Sequence, residues 1–111
     1  MKTKISQDII SRSAWPDYES GIEYSSSTGS GSIVIPEDGY LLYNFYTTTT
    51  VISLKINDIV VAYGAASSNA YVEVINDLLP VRKGDVITYK THALNSTTNF
   101  LRFYPLMGKI K

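Results

Sequence analysis

Apolar and polar residues alternate with a period of two along most of the chain, and turn-forming residues interrupt the alternation at short intervals. In the run 51–56, Ile52, Leu54 and Ile56 fall on one side of an extended chain, and polar residues separate them. Because alternate residues of a β-strand point to the same face, this pattern predicts a strand with one face in a core. Seven or eight such runs, spaced by roughly 8–12 residues, predict an all-β protein built as an antiparallel sandwich or jelly roll.

Three segments predict more specific features of the sheets. Residues 40–47 are apolar on both sides apart from Asn44, which predicts a central strand that is covered on both faces. Asn57 and Asp58 separate two strand-like runs, which predicts a β-hairpin and leaves its turn type open. The Ser- and Gly-rich run 25–31 predicts a flexible loop or an irregular edge.

Two segments that lead from a proline to a glycine open directly onto strand-like runs. They extend from Pro36 to Gly39 and from Pro80 to Gly84, and both contain charged residues. Proline does not fit a central strand, charged side chains favour water, and glycine adopts positive φ without a steric cost. Each segment is therefore predicted to be a solvent-exposed corner between two strands.

Composition narrows the classes of function. The chain has 111 residues, which predicts one domain, and its ten basic and ten acidic residues cancel. No basic cluster exceeds Arg82-Lys83, so the charge pattern of a nucleic-acid-binding protein is missing. No run approaches the roughly 20 apolar residues of a membrane span. We therefore expect neither nucleic acid nor membrane among the partners, and the absence of cysteine makes oligomerisation the expected source of extra stability.

Residues suited to catalysis or metal binding are few. His92 is the only histidine, and no serine lies in a Gly-x-Ser-x-Gly elbow, so a Ser-His-Asp arrangement is not indicated. Zinc sites are normally built from several His, Cys or carboxylate ligands, and the chain has no cysteine. The acidic pairs, all in turn-like or solvated contexts, are Glu37/Asp38, Glu19/Glu23 and Asp77/Asp85. We expect a non-enzymatic protein without a cofactor or a bound metal.

Several aromatic and polar side chains near predicted loops and strand ends suit a glycan. Tyr and Trp faces stack on sugar rings, and amides hydrogen-bond to hydroxyl groups. The candidates for glycan contact are Trp15, Tyr18, Tyr63, Tyr71, His92, Asn95 and Asn99. For each of them an ordinary surface or partly buried position is the alternative, and Trp15 has the further alternative of anchoring an N-terminal arm on the sandwich.

Residues 1–14 precede the strand pattern and are predicted to form an arm or connector, and residues 15–111 the sandwich domain. The arm is expected to be a short helix or an extended segment that ends by Pro16. Ile5, Ile9 and Ile10 are expected to dock on a partner subunit or a neighbouring chain, because three isoleucines close together are unusual in a free tail. The alternative is a frayed terminus.

Five short motifs follow one another in an order and spacing that carry a resemblance. They are Trp-Pro-Asp-Tyr-Glu-Ser-Gly-Ile at 15–22, Ile-Pro-Glu-Asp-Gly-Tyr at 35–40, Ile-Asn at 56–57, Leu-Pro-Val-Arg-Lys-Gly-Asp at 79–85 and Phe-Tyr-Pro-Leu at 103–106. This series resembles the C-terminal domains of bacteriophage tail-fibre and related virion proteins. The same layout is similar to the trimeric jelly roll of C1q and tumour-necrosis-factor-like domains.

The resemblance implies a homotrimeric structural or attachment module of a virion, such as a tail-fibre tip, a head fibre or a decoration protein. Such a module is assembled in the host cytoplasm and contacts other virion proteins or a host-surface glycan or protein. The resemblance also implies that Tyr43, Phe45, Tyr89 and Phe103 lie at the trimer interface. Two alternatives stay open: Phe45 and Phe103 fill the core of the monomer, or the chain is a free-standing, monomeric carbohydrate-binding or adhesion module of a bacterial protein.

Overall fold

The computed structural model describes residues 14–66, 72–94 and 98–108. This part of the chain folds as two four-stranded antiparallel sheets packed face to face, with one 3-10 turn at Tyr18–Ser20. Its strands are β1 (Ile22–Tyr24), β2 (Ser30–Val34), β3 (Gly39–Thr47), β4 (Val51–Ile56), β5 (Ile59–Ala65), β6 (Glu73–Val81), β7 (Val86–Lys90) and β8 (Phe100–Pro105). The predicted all-β sandwich is confirmed, and the predicted docking residues Ile5, Ile9 and Ile10 lie outside the described residues.

The strand order places segments that are distant in sequence side by side. The first sheet has the order β1-β8-β3-β6, and the second has the order β2-β7-β4-β5. The chain therefore changes sheets at every connection except the β4–β5 hairpin. Because β8 pairs with both β1 and β3, the first and last strands meet in the first sheet.

β3 shows which face of the first sheet meets the core. Its odd-numbered residues from Gly39 to Thr47 are buried, and its even-numbered residues are half-buried. The strand pairs with β8 on one side and β6 on the other, so its predicted central position is confirmed. The prediction that both faces are covered is wrong for the single chain, because only the odd-numbered face packs against the second sheet.

The four aromatic residues expected at a trimer interface lie instead inside the sandwich. Tyr43, Phe45, Tyr89 and Phe103 are 3%, 0%, 7% and 1% exposed. The rings of Tyr43 and Phe45 lie 5.4 Å apart, and Phe45 lies 6.3 Å from Tyr89. Their assignment to an interface is therefore wrong, because the period of two places them on the core faces of β3, β7 and β8. The alternative, that Phe45 and Phe103 fill the core of the monomer, is the one that the structure shows.

The predicted hairpin between β4 and β5 is confirmed, and its turn type follows from two dihedral angles. Asn57 and Asp58 have φ of 51° and 67°, and positive φ at both central residues is typical of a type I′ turn. This turn twists in the same sense as the strands that it joins. Ile52 and Leu54 are buried as predicted, and Ile56 packs half-buried against the same core.

The two Pro-to-Gly segments meet at one end of the sandwich, which we call the corner end. The Lys83 backbone N–H donates to Asp38 Oδ1 at 2.9 Å, and the Gly84 N–H donates to the Ile35 carbonyl at 2.8 Å. Pro80 is not part of the second corner, because β6 continues through it to Val81. An edge strand such as β6 accommodates a proline that an interior strand would not.

The Ser- and Gly-rich segment is better described as an edge than as a loop. Ser30 and Gly31 begin β2, which is the edge strand of the second sheet, and Ser26 forms a β-bridge with Leu94. Gly29 is buried and has φ of 74°. The prediction of a flexible loop over the whole of 25–31 is therefore wrong, and the alternative prediction of an irregular edge agrees with the structure.

Candidate interaction surfaces

The outward face of the first sheet is rich in aromatic and aliphatic side chains. The residues that alternate with the core residues of β3 are matched in register by residues of β6 and β8 that are apolar except for Asn76 and Arg102. We call this set the aromatic face; it consists of Tyr40, Leu42 and Tyr46 of β3, Val74, Leu78 and Pro80 of β6, and Phe100 and Tyr104 of β8. All of these side chains are half-buried or exposed in the single chain.

The polar groups on the aromatic face are largely paired within the chain. Asn76 Nδ2 donates to Asn44 Oδ1 at 3.2 Å, and Asn44 Nδ2 donates to the Thr98 carbonyl at 2.7 Å. Arg102 Nε donates to Glu23 Oε1 at 3.2 Å, and its guanidinium lies 4.2 Å from the centre of the Phe100 ring. The amide groups of Asn44 and Asn76 and the guanidinium of Arg102 are therefore engaged within the chain.

The outward face of the second sheet differs sharply in composition. Away from the corner end, its middle strands β7 and β4 present mainly Ser, Thr and Lys side chains, namely Ser53, Lys55, Thr88 and Lys90. An antiparallel sheet with one face in water normally alternates apolar-in and polar-out. Away from the corner end, where Val34 and Val86 are exposed, the middle strands of the second sheet follow this pattern. The first sheet does not, which marks the aromatic face as a candidate contact surface.

The β5 strand forms a second exposed apolar surface. It is the edge strand of the second sheet, and Ile59, Val60, Val61 and Tyr63 are 68%, 52%, 45% and 62% exposed. The strand packs beside β6, the edge strand of the first sheet. An exposed hydrophobic edge with unpaired backbone groups is a template for contact with another chain. We call Ile59, Val60, Val61 and Tyr63 the β5 edge.

A groove with a volume of about 500 Å³ opens next to the 3-10 turn. It is lined by Trp15, Pro16, Asp17, Tyr18, Glu19 and Met107, and we call it the Trp15 groove. Trp15, Tyr18 and Met107 are each more than half exposed. Trp15 therefore does not anchor the chain by burying its ring, as the sequence had allowed.

Backbone contacts hold the walls of the Trp15 groove. The Met107 N–H donates to the Trp15 carbonyl at 2.8 Å, and the Asp17 N–H donates to the Pro105 carbonyl at 2.7 Å. The Asp17 carboxylate caps the 3-10 turn by accepting from the Glu19 N–H at 3.2 Å and from Ser20 Oγ at 2.8 Å. Segments from the two ends of the described chain are thereby fixed against each other.

The Tyr18 side chain rests on the aromatic face. Its ring meets the Tyr104 ring edge to face, with the centroids 4.9 Å apart and the planes inclined by 68°. The ring of Tyr104 lies over Gly21, where an added Cβ would come within 2.4 Å of Cε1. A second groove of about 270 Å³ shares Tyr18 and Glu19 with the first.

The residues expected to contact a glycan are not brought together. Trp15 and Tyr18 line one groove, whereas Tyr63 lies on β5 of the other sheet. Asn99 is 1% exposed and therefore cannot contact a ligand, so its assignment is wrong. Tyr71 and Asn95 lie outside the described residues. Only the Trp15–Tyr18 pair forms a common concave surface among the described candidates.

His92 and Asn99 have structural partners at the end of β8 that is remote from the Trp15 groove. Asn99 Oδ1 accepts from the Tyr46 N–H at 3.1 Å and from Thr91 Oγ1 at 2.7 Å. His92 Nε2 lies 3.3 Å from Thr47 Oγ1, and its ring lies 5.9 Å from that of Tyr46. These contacts tie the segment after β7 to the end of β3.

Three of the acidic residues considered for catalysis accept backbone hydrogen bonds, Asp38 and Asp85 in the two corners and Asp77 within β6. Asp38 and Asp77 accept from the N–H groups of Lys83 and Leu78, and Asp85 accepts from that of Arg82. The hydrogen bond from the Arg82 backbone, followed by the one from the Asn57 side chain, lowers the pKa of Asp85 below its usual value. These interactions account for the positions of the three carboxylates.

Neither a candidate metal site nor a candidate membrane-spanning helix is present among the described residues. No group of three or more His, Cys, Asp or Glu side chains is close enough to hold a metal ion. No helix in the same ranges has the length and apolar character needed to cross a membrane.

Sequence reasoning missed the aromatic face and Met107 in the Trp15 groove. On β3 both faces are apolar, so the period of two alone does not tell which one meets the second sheet. Met107 joins Trp15 through contacts between segments that are 92 residues apart, for which there is no local signal. Comparison of the chain with protein-family models and with curated proteins finds no match, so its surfaces are the basis of the functional argument.

Proposed function

We propose that this chain is a non-enzymatic structural or attachment module of a bacteriophage virion and that it works as a homotrimer. The observation that carries the proposal is the aromatic face, which leaves one of the two sheets with an apolar outer surface. Soluble monomers rarely expose large contiguous apolar patches, and those that occur mark contact sites. The partner that we propose is a second copy of the chain.

The strand order supports a jelly-roll layout. The sheets β1-β8-β3-β6 and β2-β7-β4-β5 follow when a long antiparallel ribbon, in which β1–β4 run alongside β8–β5, folds over into two layers. This layout is the one that the motif resemblance implies. It presents the whole outer face of the first sheet as one surface.

Two different apolar surfaces on one chain favour a closed ring. Contact between the aromatic face of one copy and the β5 edge of the next is heterologous, and a heterologous contact closes into a ring when the rotation is suitable. A three-fold ring covers both surfaces on every copy. In this ring the interface is formed by outward-facing residues such as Leu42 and Phe100. The buried residues Tyr43, Phe45, Tyr89 and Phe103 are not part of it.

The virion part of the proposal rests on the motif series and on where its members lie. The two corners meet each other, and Asn57 of the hairpin motif is hydrogen-bonded to Asp85 and Val86 at the second corner. The first motif is joined to the last by the hydrogen bond from the Asp17 N–H to the Pro105 carbonyl. A rigid end of this kind suits a domain that is exposed at the tip of a fibre.

The assembly is tested by placing a charge on each outer face in turn. Leu42→Glu places a carboxylate in the aromatic face, whereas Thr88→Glu places one on the polar outer face at a comparable half-buried strand position. We expect the native chain and Thr88→Glu to sediment as trimers and Leu42→Glu as a folded monomer, because the new carboxylate would lose its hydration in the interface and its cross-strand neighbour Arg102 is already paired with Glu23. A native chain that sediments as a monomer would remove the trimer and favour the monomeric carbohydrate-binding alternative.

The location is tested independently of the assembly. Mass spectrometry of virions purified from the host that produces this chain is expected to detect it together with the other particle proteins. Detection only in the soluble fraction of the lysate would contradict the virion assignment and leave the result on the trimer intact.

A further inference from the structure

The Trp15 groove combines exposed aromatic walls with an unbalanced negative charge. Asp17 and Glu19 are among its lining residues, and none of the lining residues that the structure describes is Lys or Arg. The nearest guanidinium on the adjoining groove, that of Arg102, is paired with Glu23. Aromatic faces attract cations through the quadrupole of the ring, Trp most strongly. Shape and charge therefore both favour a cationic ligand with an apolar surface.

We propose that the Trp15 groove binds a quaternary ammonium group of the choline type. The proposal deepens the attachment function by naming the chemistry of a receptor, and its biological role rests on that function. The site itself is built within one chain, so that binding and trimer formation are measured separately.

The hydrogen bonds of the Asp17 carboxylate favour a quaternary over a primary ammonium group. Both oxygens of Asp17 already accept hydrogen bonds, from the Glu19 N–H and from Ser20 Oγ. A primary ammonium has three N–H donors to satisfy, whereas a trimethylammonium group has none. Its methyl groups pack against Trp15, Tyr18 and Met107, and its charge is balanced by the nearby carboxylates without a directed hydrogen bond.

The groove is already formed without a ligand. The backbone hydrogen bonds Met107–Trp15 and Asp17–Pro105 fix its two sides, and the edge-to-face contact with Tyr104 orients the ring of Tyr18. A preformed site avoids much of the ordering cost of binding. Its volume of about 500 Å³ is within the range typical of small-ligand sites.

Trp15 is the only tryptophan, so its fluorescence reports directly on this groove. The probes are choline chloride, its uncharged isostere 3,3-dimethyl-1-butanol, and sodium chloride at equal ionic strength. We expect choline to change the Trp15 emission saturably in the millimolar range. The isostere and sodium chloride are expected to give no saturable change, because they lack the cation or the apolar surface.

Matched variants separate the groove from the rest of the surface. Tyr18→Ala is expected to weaken choline binding by roughly fivefold or more, since it removes one aromatic wall. Glu19→Gln is expected to weaken it by roughly two- to fivefold, as for an exposed charge pair. The control Glu37→Gln changes an exposed carboxylate outside the groove and outside the proposed trimer contact, and it is expected to bind as the native chain does. Far-UV circular dichroism checks that each variant is folded.

Several outcomes would overturn the proposal. If the isostere binds as tightly as choline, the groove recognises only an apolar group. If methyl glucoside or glucosamine binds more tightly than choline, the groove is a site for a sugar or a primary amine. No response of Trp15 to choline would exclude the site even if the chain sediments as a trimer. If choline binds, co-sedimentation with phosphatidylcholine vesicles identifies a lipid source, and its absence identifies choline carried by a soluble or polymeric ligand.

Discussion

At the scale of single residues, the Asp85 carboxylate joins segments that are far apart in sequence. Its Oδ1 accepts from Asn57 Nδ2 at 3.0 Å, and its Oδ2 accepts from the Arg82 N–H at 2.8 Å. These hydrogen bonds lower its pKa from the usual 3.8. The folded state therefore favours the ionised carboxylate, and the resulting stability is fully present above the unfolded pKa and lost as pH falls through the folded pKa.

We expect Asp85→Asn to lower the free energy of unfolding at neutral pH by about 1–2 kcal/mol, because an amide offers one acceptor oxygen in place of two. The difference from the native chain is expected to shrink as pH falls from 3.8 through the lowered pKa of the folded state, where the native carboxyl group becomes protonated. Urea denaturation at a series of pH values measures this difference in the free energy of unfolding, and Glu37→Gln on the other corner is the control. A difference that stays constant across the pH series would contradict the assignment.

At the scale of elements, the two corners contain glycines that are needed for different reasons. Gly84 has φ of 89° and no atom within 4 Å of an added Cβ, so only its backbone conformation disfavours a side chain. Gly39 lies outside the left-handed region, but an added Cβ would come within 2.3 Å of the Tyr104 carbonyl oxygen and 2.8 Å of the Phe103 ring. The sequence prediction of positive φ therefore holds for the second corner and is wrong for the first.

We expect Gly84→Ala to cost about 1 kcal/mol, which is the strain of an L-residue in the left-handed region. Gly39→Ala is expected to cost clearly more, since β3 and β8 must separate to admit a methyl group beside a backbone carbonyl. Thermal and urea unfolding of the two variants measures the comparison, with Gly39→Ala expected to show the larger loss. Equal losses would mean that the contact between β3 and β8 relaxes at little cost.

The elements also show how far sequence reasoning reaches. The alternation in β4 and the Asn57-Asp58 turn predict a hairpin because the information is local, and the structure confirms it. The prediction that Pro80 lies in the second corner is wrong, because a proline is compatible both with a turn and with an edge strand. Only the pairing of β6 distinguishes the two positions. The Trp15 groove needs β8 beside β1, a contact between the two ends of the domain that no local pattern encodes.

At the scale of the whole molecule, substitutions on the two faces of β3 are expected to affect the stability of the fold in different ways. Phe45 is fully buried in the sandwich, so Phe45→Leu is expected to cost about 1–2 kcal/mol at any protein concentration. Leu42 lies on the aromatic face, where its contribution depends on the proposed contact with another copy. A folded state that is linked to assembly becomes more stable as protein concentration rises.

We therefore expect the melting temperature of the native chain to rise with protein concentration. Phe45→Leu is expected to lower the melting temperature at every protein concentration and to leave its dependence on concentration unchanged. Leu42→Glu is expected to remove that dependence, because a monomer is not stabilised by further copies. Differential scanning fluorimetry over a wide concentration range measures both, with Thr88→Glu as the control that keeps the native slope. If the native chain shows no slope, the aromatic face is not covered by a second copy, and the trimer proposal fails while the core assignment of Phe45 stands.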